Sequence, residues 1–371
     1  SAAFTNCSGD KGPEQAAVVE NYADLALDGY TQALEDAKDL RQTLADFTAS
    51  PTEAGMEAAR TIWLEARESY GPTEAFRFAD GPIDVIDGEE GPEGLINAWP
   101  LDEAYVDYVE GAPDAGIINM VERYPDLEAT LLKELNTAGG EENVSVGFHA
   151  IEFLLWGQDL SDPADKIPGQ RPYTDFVDGG TAANQDRRRQ YLMLTADLLV
   201  DDLQLLVDQW AQDGPYRKKF LAQETGKSIT QMMTGIATLS KSELAGERVF
   251  TAYSNRDQED EHSCFADNTH RDLRLNFEGI ASVYFGGQDQ ESAINVHQLI
   301  AAADTEMATQ IKDQFAAARE AVYATAIPFD HAISDNELRP DVLAAVQSLR
   351  TLGDLIVAGG TKIEVRVGTE L

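Results

Sequence analysis

The chain has 371 residues and carries 66 Asp+Glu against 28 Lys+Arg, a formal net charge of −38. A surface this acidic repels phosphate backbones and anionic headgroups, which excludes general nucleic-acid binding and docking on such membranes, while it concentrates cations. The hydrophobic fraction of 43% and the charged fraction of 25% are those of an ordinary globular protein, long enough for about two domains.

No run of about 18 apolar residues is present, so no transmembrane helix is expected. The N-terminal stretch SAAFTNCSGDKGPEQ lacks a basic start followed by an apolar core, so no signal peptide is expected to remain. Of the two cysteines, Cys7 lies in a small, polar tail. A Cys7–Cys264 disulfide would anchor that tail and suit an oxidising compartment, and two free thiols are the alternative. Thr5-Asn6 before Cys7 does not supply the small residue that a lipid-attachment signal needs there.

In chain order, Tyr22, Leu25, Ala33, Ala37, Leu40, Leu44 and Phe47 mark one stripe of a long helix. Ser50-Pro51-Thr52-Glu53 reads as the next helix start, with Ser50 as N-cap and Glu53 closing a capping box. That helix carries Trp63, Arg67, Tyr70 and Glu74 on one face, and Pro72 is expected to kink it. Residues 78–100, rich in Gly and Pro, predict a long irregular loop. Short helices are expected at 101–111 and 114–137, and a strongly apolar one over Val144–Trp156. A Pro/Gly stretch covers 161–180. A long helix follows from Asn184 to Gln212, with the stripe Leu192, Thr195, Leu199, Leu203, Leu206 and Trp210.

Gly214-Pro215 breaks that helix and sets the expected boundary between domains at 16–213 and 216–371. The second half predicts helical sequence at 216–253, an acidic loop at Asp257–Ser263, and helices at 269–284, 292–303, 304–326 and 339–358. The tail Lys362–Val367 alternates and reads as extended. Strand signals are otherwise almost absent, so the fold class is all-α. Gly157-Gln158-Asp159 is echoed by Gly287-Gln288-Asp289, which sets Gly279 opposite His149 and Ser282 opposite Glu152. The echo predicts two packed helical bundles related by internal duplication, with the side-chain chemistry kept in one.

The sharpest chemical signal is Gly147-Phe148-His149-Ala150-Ile151-Glu152. Residues three apart share a helix face, so His149 and Glu152 can reach one metal ion, and an imidazole with a carboxylate suits zinc or iron. A buried His–Glu hydrogen bond is the structural alternative. Glu74 could bring a third ligand from another helix, with Arg67 and Tyr70 orienting carboxylates and Trp63 on the same polar face. A surface cluster of Arg67 with Glu74 or Glu68 is the alternative there. In the third cluster, Glu261 to Asp272, Asp267 or Asn268 can cap the helix that begins near Thr269. No zincin or inverzincin motif, P-loop, dinucleotide fingerprint or paired Glu-x-x-His motif is found.

At these residues the chain resembles the imelysin-like family. The matching segments are ARTIWLEARESYGPTEAFRF (59–78), NAWPLDE (97–103), GFHAIEFLLWGQDL (147–160), ELAGERV (243–249) and EDEHSCFADNTHRDL (259–273), with the family's Gly-x-His-x-x-Glu motif on Gly147, His149 and Glu152. The resemblance implies two duplicated helical bundles and an exported periplasmic or cell-surface protein linked to iron uptake. The site is then expected between the halves. His149, Glu152 and Glu74 would bind a divalent metal, iron or zinc, or an iron-containing ligand. Arg67, Tyr70, Trp63, Asp102, Ser263, Asp267, Asn268, Thr269 and His270 would surround it. The partner implied is an outer-membrane or periplasmic uptake protein. A metal-dependent peptidase using the His-x-x-Glu pair, and a metal-free partner- or peptide-binding protein, are the alternatives.

Overall fold

Helix α1 (Gln15–Ala49) buries Tyr22, Ala26, Tyr30, Ala33, Ala37, Leu40, Leu44 and Phe47 along one face, the period of three and four that a core-facing helix needs. The computed structural model describes residues 14–287 and 294–370. Ser50 ends α1, its amide donating to the carbonyls of Asp46 and Phe47, and the N-cap of α2 (Glu53–Tyr70) is Thr52, which accepts from the Gly55 amide at 3.0 Å. The expected cap at Ser50 is therefore displaced by two residues, because Ser50 is already committed to closing the preceding helix.

The chain does not kink and resume at Pro72. From Gly71 to Phe76 it winds on as a 3-10 turn. A hairpin, β1 (Val85–Ile86) with β2 (Glu89–Glu90), and the short helix α3 (Glu93–Ile96) occupy the Gly/Pro-rich segment. The two helices expected over 101–137 shrink to α4 (Glu103–Val106) and α5 (Ala129–Leu135). The reason is Asp107. It is buried and bound by Arg171 at 2.8 Å and by Arg188 at 2.6 and 2.8 Å, an ion network that fixes an irregular backbone where periodicity alone suggested helix.

Helix α6 (Phe148–Trp156) follows, then two 3-10 turns, Pro163–Asp165 and Tyr173–Phe176, and the long α7 (Gln185–Trp210). After the Gly214 turn come α8 (Pro215–Ala222) and α9 (Thr225–Thr238), which runs into a π-helical stretch, Leu239–Thr251, and then α10 (Ala252–Asn255). The chain ends with α11 (Thr269–Phe285), α12 (Val296–Ala303), α13 (Thr305–Ala324), α14 (Phe329–Ser334) and α15 (Arg339–Lys362). Helix α14 has no counterpart in the sequence reading. Past α15 the backbone to 370 forms no strand. Gln288 and Asp289 of the repeated tripeptide, and Cys7, lie outside the described residues.

The fold is all-α, with α1 packed on α2 and α7, and α15 on α13, α9 and the π-helical stretch. Helix α15 is long and apolar enough to cross a membrane by length and composition. Here it sits in the core, with Val346, Leu349, Leu352 and Ile356 buried. One apolar core runs from Val18 to Val365 through both halves of the sequence. Helix α11 backs directly onto the 3-10 turn: a Cβ on Gly279 would lie 2.2 Å from the Pro72 carbonyl oxygen. That approach explains why the position aligned with His149 is a glycine.

Candidate metal centre

Gly147 precedes α6 with φ +89°, and a Cβ there would lie 2.6 Å from the Ile96 carbonyl oxygen. Only glycine fits such a backbone without strain, and it lets α6 start hard against the segment that carries Asn97. One turn on, His149 Nδ1 and Glu152 Oε2 are 2.8 Å apart. The Ala266 amide donates to the other oxygen, Oε1, at 2.9 Å. Both side chains are buried, and His149 Nε2 has no hydrogen-bond partner.

A second imidazole faces the first. His262 lies with its ring centroid 4.7 Å from that of His149, the planes crossing at 76°. Its Nδ1 is 2.8 Å from Asp272 Oδ2, and the Ser263 hydroxyl donates to the same oxygen. Arg67 donates to Asp272 Oδ1 at 3.0 and 3.3 Å and to Asn97 Oδ1 at 2.6 Å. The Asn97 amide nitrogen is thereby fixed as a donor. It gives a bond to Glu74 Oε1 at 2.9 Å and lies 3.4 Å from His262 Nε2, so that nitrogen accepts and Nδ1–H donates to Asp272.

Both imidazoles are neutral at pH 7. Burial pushes His149 well below its ordinary value, and His262 and Arg67 push it further. Burial and Arg248 bring His262 down to about 4 against the pull of Asp272. Asp272 stays ionised: burial opposes it, but Arg67 and His262 hold it far below the usual carboxylate range. Glu152 is pushed up by burial, against the pull of the Ala266 and Phe265 amides.

Glu74 belongs to a neighbouring arginine cluster. Its Oε2 accepts from Arg248 at 2.7 Å and from Arg77 at 3.1 Å. Burial raises its carboxyl, yet Arg248 and Arg77 outweigh it and bring it down to about 2. The π-helical stretch positions this clamp, since its wider winding brings residues five apart onto one side. Arg248 reaches Glu243 Oε1 at 3.0 Å and Asn276 Oδ1 at 2.6 Å.

Outside the pair, Pro100, Leu101, Asp102, Glu103, Glu142, Asp257, Glu259, Asp260, Cys264 and Phe265 line a cavity of about 250 Å³. Cys264 lies on its wall, two residues before the Ala266 amide that holds Glu152. Its thiol is pushed up by burial, and then by Glu152, Glu261, Glu103 and Glu259.

A family model described as imelysin, of the M75 peptidases, matches residues 26–356. The chain belongs to the imelysin family. It is similar to iron-regulated protein A of Synechococcus elongatus, 26% identical over 366 residues that cover 95% of this chain and 88% of that protein. Its fold is that of a protein assigned as an iron-regulated protein A precursor from Parabacteroides distasonis, with a TM-score of 0.72 at 20% identity, covering 96% of this chain and 97% of the other.

Within this imelysin-family chain, the structure brings His149, Glu152, Arg67 and Ser263 into one buried centre, with Trp63 and Tyr70 lining it. Trp63 Nε1 donates to the Phe148 carbonyl at 3.0 Å, and the Arg67 guanidinium lies over the rings of Phe148 and Tyr70. The Thr269 hydroxyl accepts the Ser263 amide at 3.0 Å. Asp102 instead caps α4, accepting from Ala104 at 3.0 Å. His270 Nδ1 lies 3.1 Å from the Asp267 carbonyl oxygen, outside the centre. Asn268 stands at the N-cap of α11, but its side chain makes no capping bond. Sequence reasoning missed His262, Asp272, Asn97 and Arg248. All four lie within the segments that carry the family resemblance, but their partners meet only in the fold: Asp272 for His262, Arg67 for Asp272 and Asn97, and Glu74 for Arg248.

Proposed function

We propose that this protein is an extracytoplasmic, iron-handling member of the imelysin family that binds one divalent transition-metal ion between His149 and His262. The observation that carries the reading is the facing pair of neutral imidazoles, each tied at Nδ1 to a carboxylate, with His149 Nε2 buried and unpartnered. A carboxylate that holds Nδ1 fixes the ring and raises the basicity of the opposite nitrogen, the arrangement by which metal-binding histidines are usually oriented. Imidazole nitrogen suits iron and zinc. Glu152 takes the role of partner to His149, and a cation at Nε2 favours its ionised form, so binding releases a proton. Glu74 serves in this reading as the anchor of Arg248 and Arg77.

The acidic cavity beside Cys264 supports an entry route, since a cleft lined by one sign of charge concentrates the opposite ion. Iron is favoured because the Synechococcus relative is named for iron regulation, and export because the Parabacteroides protein is assigned as a precursor. An outer-membrane or periplasmic uptake protein is then the expected partner. Peptide hydrolysis is disfavoured, because both Glu152 oxygens are engaged and, among the described residues, both oxygens of the other carboxylate at the pair, Asp272, are engaged too.

The test is calorimetric titration of the full chain with Zn²⁺, and with Fe²⁺ under anaerobic conditions. One saturable site that disappears in His149→Ala and in His262→Ala, both still folded, is expected. Native protein without such a site would leave the centre as a polar core.

A further inference from the structure

A separate cluster of carboxylates includes Asp267, the residue after the Ala266 whose amide holds Glu152. Asp159, Asp267 and Asp330 each present an oxygen within 4.8 Å of the others. They come from three places: the turn after α6, the loop before α11, and α14. Acidic residues often gather without an ion, so proximity alone decides nothing. The accounting of their partners does. Asp159 Oδ1 accepts from the Ser161 amide and hydroxyl at 2.9 and 2.7 Å, and Asp330 Oδ1 accepts from the His331 amide at 2.6 Å. Oδ2 of Asp159, Asp267 and Asp330 is buried without a hydrogen-bond partner in every case.

Glu261 belongs to the same 257–268 loop as Asp267. It is 2% exposed and neither carboxylate oxygen finds a hydrogen-bond partner. Gln258 adds a buried, unpartnered Oε1, while its amide nitrogen holds the Asp159 carbonyl at 2.8 Å. Among the described residues no Lys or Arg ion-pairs with any of the four acids. Their charges therefore lack the compensation that the Arg67 and Arg248 clusters receive. Unpaired buried carboxylates are costly, and a cation is the group that would satisfy them together.

We infer that Asp159, Asp267 and Asp330 form a binding site for one hard divalent cation, best suited to Ca²⁺. Hard cations select oxygen donors, and this site offers only those, in contrast to the imidazoles of the other centre. Two oxygens on one Ca²⁺ can stand up to about 5 Å apart, twice a bond of 2.3–2.6 Å, which accommodates the observed spread without rearrangement. Irregular donors from two loops and a short helix suit the flexible shell of Ca²⁺ better than the strict octahedron of Mg²⁺. The ion would pin the 257–268 loop to α14 and to the turn after α6. That loop carries Ala266, whose amide holds Glu152, so the site steadies the transition-metal centre from outside.

The test is calorimetric titration of the chelator-treated full chain with CaCl₂ and, separately, MgCl₂, with thermal unfolding followed in parallel. The native protein is expected to show one Ca²⁺ site with Kd on the order of 10–1000 μM, a raised Tm and weaker Mg²⁺ binding. Asp330→Asn and Asp159→Asn, isosteric and uncharged, are each expected to weaken the site at least about tenfold. His149→Ala is expected to keep it, which separates this inference from the transition-metal proposal. A native protein with no saturable site below about 10 mM Ca²⁺ would overturn the inference. So would binding that persists unchanged in both Asn variants, since it would come from the diffuse acidic surface, or binding that vanishes in His149→Ala.

Discussion

The imidazole rings of His149 and His262 stand 4.7 Å apart, centroid to centroid, although one is carried by a helix of the first half and the other by a loop of the second. Such closeness is tolerable because both rings are neutral. Burial works against the charged form of each, and Arg67 and Arg248 add to it. Two buried imidazoliums at this distance would repel strongly, whereas two neutral rings can both turn a nitrogen to one cation, His262 Nε2 exchanging the Asn97 amide for it.

The first prediction concerns Asp272. Replacing it with Asn keeps its shape but leaves Arg67 buried without its counter-ion. Breaking a buried ion pair from one side costs about 3–5 kcal/mol, and losing the partner of a metal-bound imidazole weakens affinity about 10–100-fold. Asp272→Asn is expected to show both losses, read by urea denaturation and by metal titration. A stability change below about 1 kcal/mol would show that Asp272 does not hold Arg67 as described.

Gly147→Ala tests the entry to α6. The backbone sits at φ +89°, and the new methyl would meet the Ile96 carbonyl at 2.6 Å. Strain of this kind costs about 1–3 kcal/mol, and relieving it must move either His149 or the segment bearing Asn97. Lower stability together with weaker metal binding is expected. Wild-type values for both would mean that the glycine is dispensable.

Acid stability should depend on Glu74. Its folded value of about 2 lies below the ordinary 4.5, so its contribution is fully present above about pH 4.5 and is lost as pH falls toward 2. The difference of about 2.5 units corresponds to on the order of 3 kcal/mol. Glu74→Gln is expected to be less stable than wild type at pH 7, with the gap narrowing between pH 4.5 and 2. A gap that stays constant through that range would show that the arginine clamp does not control this carboxyl.

The sequence made the imidazole–carboxylate pair legible because both members share one helix face, three residues apart. It also placed Trp63, Arg67 and Tyr70 correctly on one stripe of α2. The same stripe misled at Glu74. Past Pro72 the chain changes to 3-10 winding, and Glu74 turns to Arg248, a residue 174 positions away. His262 and Asp272 are close in sequence, but their pairing needs the 257–268 loop folded back on the first turn of α11. Asp330 was invisible because α14 is six residues long, too short to give a periodic signal. Over 101–137, a buried aspartate bound by two distant arginines outweighed local helical pattern, and no short-range feature announces such a pairing.

In the metal-loaded protein, His149 and His262 are expected to hold one ion through their Nε2 atoms, His262 giving up the Asn97 amide. The most direct measurement is anomalous X-ray diffraction at the zinc or iron edge from crystals of the metal-loaded protein. A single strong peak is expected about 2.0–2.2 Å from both Nε2 atoms, absent from crystals of His262→Ala. A protein loaded under the same conditions with no peak at the imidazole pair, or with its metal bound only elsewhere, would contradict it.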